Sequence, residues 1–509
     1  MLTEPGSILI NIVDSYTIIS YSVRIVEKLL VIYFLLYFCI DIFLFIYSLI
    51  IHRKQKTVTV SDSIYEGHAI SIIVPAYNEE VSIVSCVKML AGVDYPDFEI
   101  IVVNDGSKDD TLQQMLSGFN FTETATLTGE MIRTNKIRKV YKEAGGKIIL
   151  IDKENGGKAD SVNVGINYSS KNYICTIDAD SILDGESLKM VILPMIKNKN
   201  NIVTGGFLAA SNGLVISGGK IVNQKMPRNI WVLWQIVEYI KSFMIARLSL
   251  SRLNMLLIMS GAFSLYKKDD LLKVGGLLTS YNEHPYIRSS LGLGKKTVCE
   301  DMEIVIRLWR YYKENRIKGR VSFLPQPVCW TEVPENSRSL FKQRARWHQG
   351  LGESLKLHRK IIFEPAYGVT GLLAMPYYLV FEFFSPFVKI FSLVFLIVLS
   401  IIGVINAGWM LLLLISVLLI TTIIMSVITV ILEAQSKSGM AINRQTLRYN
   451  TLWDWLLLLF SSIAGSLSYE FFKMFAQLKG TINLLLRKNE WNKFARKGIK
   501  SIEENHEKN

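Results

Sequence analysis

Two carboxylates one residue apart, Asp178 and Asp180, close a short apolar run over residues 173–177. Side chains two apart on an extended segment point the same way, so the pair is expected to converge where the strand ends. Like charges at a sheet rim repel, and burying both unpartnered costs on the order of several kcal/mol. A hard divalent cation, Mg2+ or Mn2+, removes that cost and usually completes its shell with waters and substrate phosphates. The pair therefore points to a substrate carrying a diphosphate. Asp-x-Asp is also common in solvated turns, so the reading depends on what surrounds it.

A second acidic pair, Glu300-Asp301, stands before a helical stretch, residues 302–312. Acids at a helix start are stabilised by the macrodipole, and a positioned carboxylate there can also take a proton from an acceptor hydroxyl. Gln343-Arg344-Ala345-Arg346-Trp347 opens a helix that continues through Lys360. Arg346 offers a bidentate fork for phosphate and Trp347 a flat face for a sugar ring; the composition equally suits a helix on a membrane surface.

These groups need a scaffold, and four apolar runs supply one: residues 70–74, 99–103, 147–151 and 173–177, separated by helix-like stretches. Continuous apolar strands alternating with helices predict a parallel sheet covered on both faces, a doubly wound α/β domain. Ligands gather at the carboxyl ends of such strands. Pro75-Ala76-Tyr77-Asn78-Glu79-Glu80 follows the first run, Asn104-Asp105-Gly106-Ser107 the second, Glu154-Asn155-Gly156-Gly157-Lys158 the third and the carboxylate pair the fourth, all on one rim. Asp105 could also merely cap the helix from Lys108. The dinucleotide glycine fingerprint and the P-loop are absent. Residues 119–142 read as an insertion without an assigned role. Residues 229–257 read as a helix along a membrane surface or a buried core helix, and residues 277–297 as a mobile loop over the site.

The composition adds a membrane. Of 509 residues 50% are hydrophobic, and the apolar residues are segregated, with a bilayer-length run at 29–51 and a very apolar region at 368–432. The first twenty residues lack the basic start of a cleavable signal, so 29–51 is expected to remain as an anchor. The net charge of +13 collects at membrane flanks: His52, Arg53, Lys54 and Lys56 after the first run, and Arg487, Lys488, Lys493, Arg496 and Lys497 after the last. The positive-inside bias then puts the middle of the chain in the cytosol. With no recognition motif, nucleic acid is not an expected partner. Cys39, Cys86, Cys175, Cys299 and Cys329 lack metal spacing and suit reduced thiols. Four spans are expected near 368–386, 388–407, 408–432 and 453–475, although Lys437, Arg444 and Arg448 in 433–449 also look cytosolic. Glu382 and Lys389 suggest a polar-lined passage. The expected divisions are 1–51 (anchor), 52–362 (cytosolic domain with interface helices), 363–476 (membrane helices) and 477–509 (basic tail).

Taken in order, Pro75-Ala76-Tyr77-Asn78-Glu79, Asn104-Asp105-Gly106-Ser107, Asp178-Ala179-Asp180, Glu300-Asp301 and Gln343-Arg344-Ala345-Arg346-Trp347 between spans resemble the membrane-embedded family 2 glycosyltransferases, which include cellulose, hyaluronan, chitin and poly-N-acetylglucosamine synthases. The resemblance covers roughly residues 29–475. It implies a GT-A (Rossmann-like) fold set between N-terminal and C-terminal transmembrane helices, a UDP-sugar donor and a Mg2+ or Mn2+ ion. By motif, Tyr77, Glu79 and Asp105 hold the uridine, and Lys158 helps with the diphosphate. Asp178 and Asp180 bind donor and metal, with Asp180 the direct ligand. Asp301 is the general base, Arg346 neutralises the leaving UDP, and Trp347, with Gln343 and Glu300, forms the acceptor side. The implied chemistry is one inverting displacement giving a β-linked product. Cys299 departs from a frequent threonine, and the 277–297 segment is longer than usual. The resulting expectation is a processive polysaccharide synthase of the cytoplasmic membrane, with UDP-glucose as first donor and UDP-N-acetylglucosamine second. A single-sugar transferase acting on a lipid carrier and a nucleotide-sugar-regulated channel are the alternatives.

Overall fold

The apolar runs form strands where expected in the computed structural model, which describes residues 5–54, 61–126, 131–217, 220–403, 408 and 451–488. The strands are β1 (Ile70–Ala76), β2 (Phe98–Asn104), β3 (Phe121–Thr124), β4 (Ile137–Glu143), β5 (Ile148–Lys153), β6 (Tyr173–Ile177), β7 (Ser181–Leu183), β8 (Asn201–Ala210), β9 (Leu214–Ser217), β10 (Lys220–Gln224), β11 (Phe263–Lys267) and β12 (Arg320–Thr331). Ten form one sheet in the order β3-β4-β5-β2-β1-β6-β11-β8-β12-β7. Its centre, β5-β2-β1-β6, is parallel. Ile72, Ile73, Val74, Ile100, Ile101 and Val102 there are fully buried, as β-branched residues in a two-sided sheet should be.

The purely parallel sheet is corrected at both ends. β4 runs antiparallel to β5 and β3 antiparallel to β4, so residues 119–142 contain an edge hairpin rather than a featureless insertion. Its outer strand is mostly exposed, which erases the apolar run that marks a central strand. On the other side β11 lies antiparallel to β6 and β8, while β12 is parallel to β8 and antiparallel to β7.

The helices that matter for the site are α1 (Pro5–Lys54), α2 (Lys158–Tyr168), α3 (Ile230–Ile240), α4 (Glu300–Glu314), α5 (Ser337–Leu357), α6 (Ser385–Ile401) and α7 (Leu452–Leu485). α2 lies so close to β1 that a Cβ on Gly165 would stand 2.4 Å from Ile73. α3 continues through a π-helical turn, Lys241–Arg247. Val232, Leu233, Ile236, Ile240, Met244 and Leu248 are buried, so 229–257 has the buried apolar face that the core-helix reading expects. It bridges the sheet and the apolar helices α1 and α7: Ser249 donates to the Leu44 carbonyl of α1, and the Trp234 indole to the Ser461 carbonyl of α7.

Within α1, Tyr21–Arg53 is long and apolar enough to cross a membrane, and only 6% of its most apolar window is buried. It contains the expected anchor. Thr370–Phe383 joins α6 at a bend of 43°, and α7 bends by 51° between Ser466 and Ser468. Pro386 in the first turn of α6 and the hydroxyls of Ser466 and Ser468, which bond back to Ile463 and Ala464 carbonyls, are the usual causes of such bends. Among the described residues there is thus one spanning-length helix, or up to three if each bent pair is one span. Of the expected stretch 408–432 all but residue 408, together with 433–449 and the tail from 489 on, lies outside the described residues.

Residues 277–297 are tied down at their start, contrary to the expected mobile loop. Leu277, Leu278, Thr279 and Asn282 are buried; the Asn163 side chain bonds both the N–H and C=O of Leu277, and residues 285–290 form a helical turn.

Candidate active site

The loops after β1 and β2 build one wall by clamping each other. Asn78 takes a left-handed conformation, φ 53°, which asparagine tolerates. Its N–H donates to Ser107 and its side chain accepts from the Lys108 N–H. The Glu79 N–H donates to Thr111. Tyr77 is half-buried beside them and Glu79 buried.

Asp105 does not present a free carboxylate. Oδ1 takes the Lys153 ammonium at 2.6 Å and the Gly156 N–H at 2.9 Å, while Oδ2 takes the Gly157 N–H at 2.8 Å and the Asn155 amide at 3.2 Å. A carboxylate has about four acceptor positions, and all are occupied. Asp105 therefore organises the β5–α2 loop from within, and direct contact with a nucleoside requires it to exchange one of these bonds. Lys153, fully buried, also pairs with the fully buried Asp160 at 2.6 Å. Gly106 (φ 65°) sits where a Cβ would stand 2.9 Å from the Asn155 nitrogen, so only glycine fits.

β6 ends at Ile177, and Asp178 to Asp180 turn into β7. Extended geometry does not persist through the pair as expected: Asp178 is partly exposed and Asp180 buried. The Asp178 carboxylate meets Lys158 Nζ at 2.5 Å, and the same ammonium lies 3.6 Å from Glu300 and donates to the Gly261 carbonyl at 2.9 Å. The Gly261 N–H in turn donates to Asp301 Oδ2 at 3.0 Å. Lys158, Asp178, Glu300, Gly261 and Asp301 thus form one connected cluster, which joins Asp178 to an acidic pair that begins 122 residues later in the chain. Among the described residues no group of three or more His, Cys, Asp or Glu forms a metal cage. Two aspartates with oxygen donors only fit a hard cation that relies on substrate oxygens for the rest of its shell.

Burial pushes the Asp301 carboxyl up to about 6, with adjacent Glu300 adding to the effect and Lys158, Arg247 and the Gly261 N–H opposing it. Such a group is ionised near neutrality yet basic enough to accept a proton. Its second oxygen accepts from the Met302 N–H at 2.9 Å, so the carboxylate is aimed by two backbone amides.

α5 meets α4 beside this carboxylate. A Cβ on Gly350 would stand 2.2 Å from Cys299 Sγ, and that sulfur lies 4.0 Å from the Trp347 carbonyl. Burial raises the Cys299 thiol, Asp301 adds to this and Arg346 opposes it. Cys299 therefore fills a helix contact instead of supplying the cap hydroxyl of a threonine. Arg346 and Gln343 are half-buried, and Trp347 is 38% exposed. Sequence reasoning gave no role to Gly261, Arg247, Lys153 or Arg344. The charged Lys153 ending an apolar run is the one local signal among them.

A nucleotide-type α/β sheet whose rim carries two acidic pairs, a lysine between them and an Arg-Trp helix defines a group-transfer site. Residues 68–350 match the family described as glycosyltransferase like family 2, and the chain belongs to that family. It is similar to the poly-β-1,6-N-acetyl-D-glucosamine synthase of Staphylococcus epidermidis, 27% identical over 314 residues, 61% of each chain. A synthase of the same name from Staphylococcus aureus is 26% identical over 294 residues, 57% of this chain and 56% of the relative. The chain thus matches about three-fifths of the length of these relatives. Its fold resembles that of a mannosyltransferase from Pyrobaculum calidifontis in complex with GDP-Man and Mn2+, with a TM-score of 0.54 and 14% identity over 91% of this chain and all of the other.

Proposed function

We propose that the protein is an inverting glycosyltransferase that adds N-acetylglucosamine from UDP-N-acetylglucosamine to a growing β-linked polysaccharide at the cytoplasmic membrane, its catalytic domain facing the cytosol. The curated relatives are named for N-acetylglucosamine polymers, and this moves the donor from UDP-glucose, the first expectation, to the second. The observation that carries the reading is the cluster joining Asp178, Lys158, Glu300 and Asp301, because it sets a basic carboxylate beside the lysine that would meet the diphosphate.

In this reading the acceptor lies against Trp347, Gln343 and Glu300, and its hydroxyl gives its proton to Asp301. The oxygen forms a bond to the anomeric carbon from the face opposite the diphosphate. The anomeric carbon–oxygen bond to phosphate breaks, and its electron pair leaves with UDP, inverting the configuration. Lys158 and Arg346 hold the departing diphosphate, Tyr77 and Glu79 hold the nucleoside, and Asp105 supports the β5–α2 loop from which Lys158 extends. Asp180 and Asp178 would hold Mg2+ or Mn2+, which supplies further charge neutralisation to the diphosphate when bound. The ~6 value of Asp301 keeps the base ionised at cytosolic pH.

The test is UDP release by purified protein in detergent with Mn2+, offered UDP-N-acetylglucosamine or UDP-glucose, with products sized on a gel. A long polymer from the first donor is expected. Products one sugar longer than the acceptor would replace polymerisation with single transfer, and release from UDP-glucose alone would restore the original donor.

A further inference from the structure

Arg344 lies inside the Gln-Arg-Ala-Arg-Trp segment but takes none of its expected roles. Its side chain is 4% exposed, and its guanidinium, which faces the Tyr239 ring at 6.0 Å, serves four further groups. It forms an ion pair with Glu238 on α3 and donates to the Tyr469 hydroxyl on α7 at 3.2 Å. It also donates to the Gln343 amide oxygen at 2.5 Å and lies 4.1 Å from the centre of the Trp347 ring. Tyr469 closes the triangle by donating to Glu238 at 2.8 Å. Positions 344 and 347 are three apart on α5, so their side chains are neighbours on one face, and a guanidinium over an indole is held by the ring quadrupole.

Of the other partners, Glu238 belongs to α3 and Tyr469 to α7. α7 approaches α5 so closely that a Cβ on Gly480 would stand 2.3 Å from the Ala345 carbonyl oxygen, the residue between the two arginines. Gln349 donates to the Lys488 carbonyl at 2.8 Å, and Lys473 reaches Glu238 at 3.6 Å. The bend in α7 falls just before Tyr469. The side chains next to Arg344 are thus Gln343 and Trp347 on one side and residues of α3 and α7 on the other.

We propose that Arg344 is a positioning residue for the acceptor side of the site, holding the Trp347 indole and the Gln343 amide in place only while α7 is docked through Tyr469. This rests on the acceptor role given to Trp347. A planar guanidinium can stack on a ring, pair with a carboxylate and donate to two neutral oxygens at once, whereas an ammonium keeps the charge and loses the stack. Arg344→Lys therefore separates positioning from mere charge balance. Tyr469→Phe removes one hydroxyl from a different helix and leaves every Trp347 contact formally intact.

The experiment uses the full-length protein in detergent and reads two quantities. Hydroxyl-radical footprinting measures exposure of Trp347, with Met131, 52% exposed on the sheet domain, as an internal standard. Initial rates against a β-linked N-acetylglucosamine oligosaccharide give the acceptor KM, and UDP affinity checks that the donor site is intact. Both variants are expected to raise Trp347 labelling and acceptor KM by about two- to fivefold, the scale of a lost cation–π contact, with UDP affinity retained. Unchanged Trp347 labelling in Arg344→Lys overturns the positioning role. Increased labelling in Arg344→Lys but not in Tyr469→Phe overturns the dependence on α7. Increased labelling in both with an unchanged acceptor KM upholds the positioning and instead refutes the acceptor role of Trp347.

Discussion

Replacing Asp301 by Asn should abolish transfer and stabilise the protein. The carboxyl is held at about 6 against an ordinary 3.8, which corresponds to roughly 3 kcal/mol of preference for its neutral form. A carboxyl with a raised folded-state value favours folding most fully below its unfolded value. That stability is lost as pH rises through 6. Asn keeps an oxygen for the Gly261 N–H and has no charge to desolvate, but the Met302 N–H loses its acceptor and Lys158 one of its compensating charges, so a gain of about 1 kcal/mol is expected at pH 7.5. The gain should vanish near pH 4, where the wild-type group is neutral as well. Matched thermal scans of both proteins at the two pH values measure it. In the same preparation, kcat/KM for UDP release by the wild type should fall about tenfold for each pH unit below 6. In Glu300→Gln, which removes the neighbouring negative charge, the normalised acid limb should move to lower pH. Turnover surviving in Asp301→Asn, an acid limb centred near 4, or a wild type more stable than Asp301→Asn at pH 7.5 would each refute the reasoning.

Gly350→Ala places a methyl 2.2 Å from Cys299 Sγ and 2.4 Å from its Cβ and should lower turnover by forcing α5 away from Asp301; Cys299→Gly in the same chain, which removes both atoms, should restore part of it, whereas Cys299→Ala, which keeps the Cβ, should not, measured as UDP release. Asp180→Asn should abolish the Mn2+ dependence of UDP binding while leaving metal-free binding unchanged, which isothermal titration with and without chelator checks.

The legible parts of this chain are those whose signal is local. β1, β2, β5 and β6 are uninterrupted apolar runs because both faces of the central sheet are covered, and the loops after them carry the chemistry because a parallel sheet sends its carboxyl ends to one rim. β3 was hidden because an edge strand facing solvent has no apolar run to detect. Asp105 shows the opposite failure. A carboxylate beside glycine in a loop looks available, and only the fold reveals that Lys153, Asn155, Gly156 and Gly157 already occupy it. Gly261 and Arg247 act on Asp301 from positions 40 and 54 residues earlier, and no spacing rule connects them to it.

Three buried ionic groups underlie three parts of the site. Lys153 lies under Asp105, Arg344 beside Trp347, and Arg307 with Glu303 and His358 beneath the helix turn that begins at Glu300. In the last, Arg307 takes both oxygens of Glu303 at 2.9 and 2.8 Å, His358 adds a contact at 3.2 Å from the end of α5, and a third guanidinium bond reaches the Val274 carbonyl at 2.7 Å. All three side chains are fully buried. Buried ion pairs are poor sources of stability, since desolvation offsets their attraction, but breaking one partner is costly. Their geometric effect differs from their energetic one: this network fixes α4, which carries Asp301, against α5, which carries Trp347. Glu303→Gln alone should therefore destabilise the fold by about 3–5 kcal/mol. Glu303→Leu with Arg307→Met should recover most of that in thermal scans, but not the rate of transfer, because Asp301 and Trp347 are no longer held in register. Full recovery of transfer in the double variant would show that the network serves stability alone.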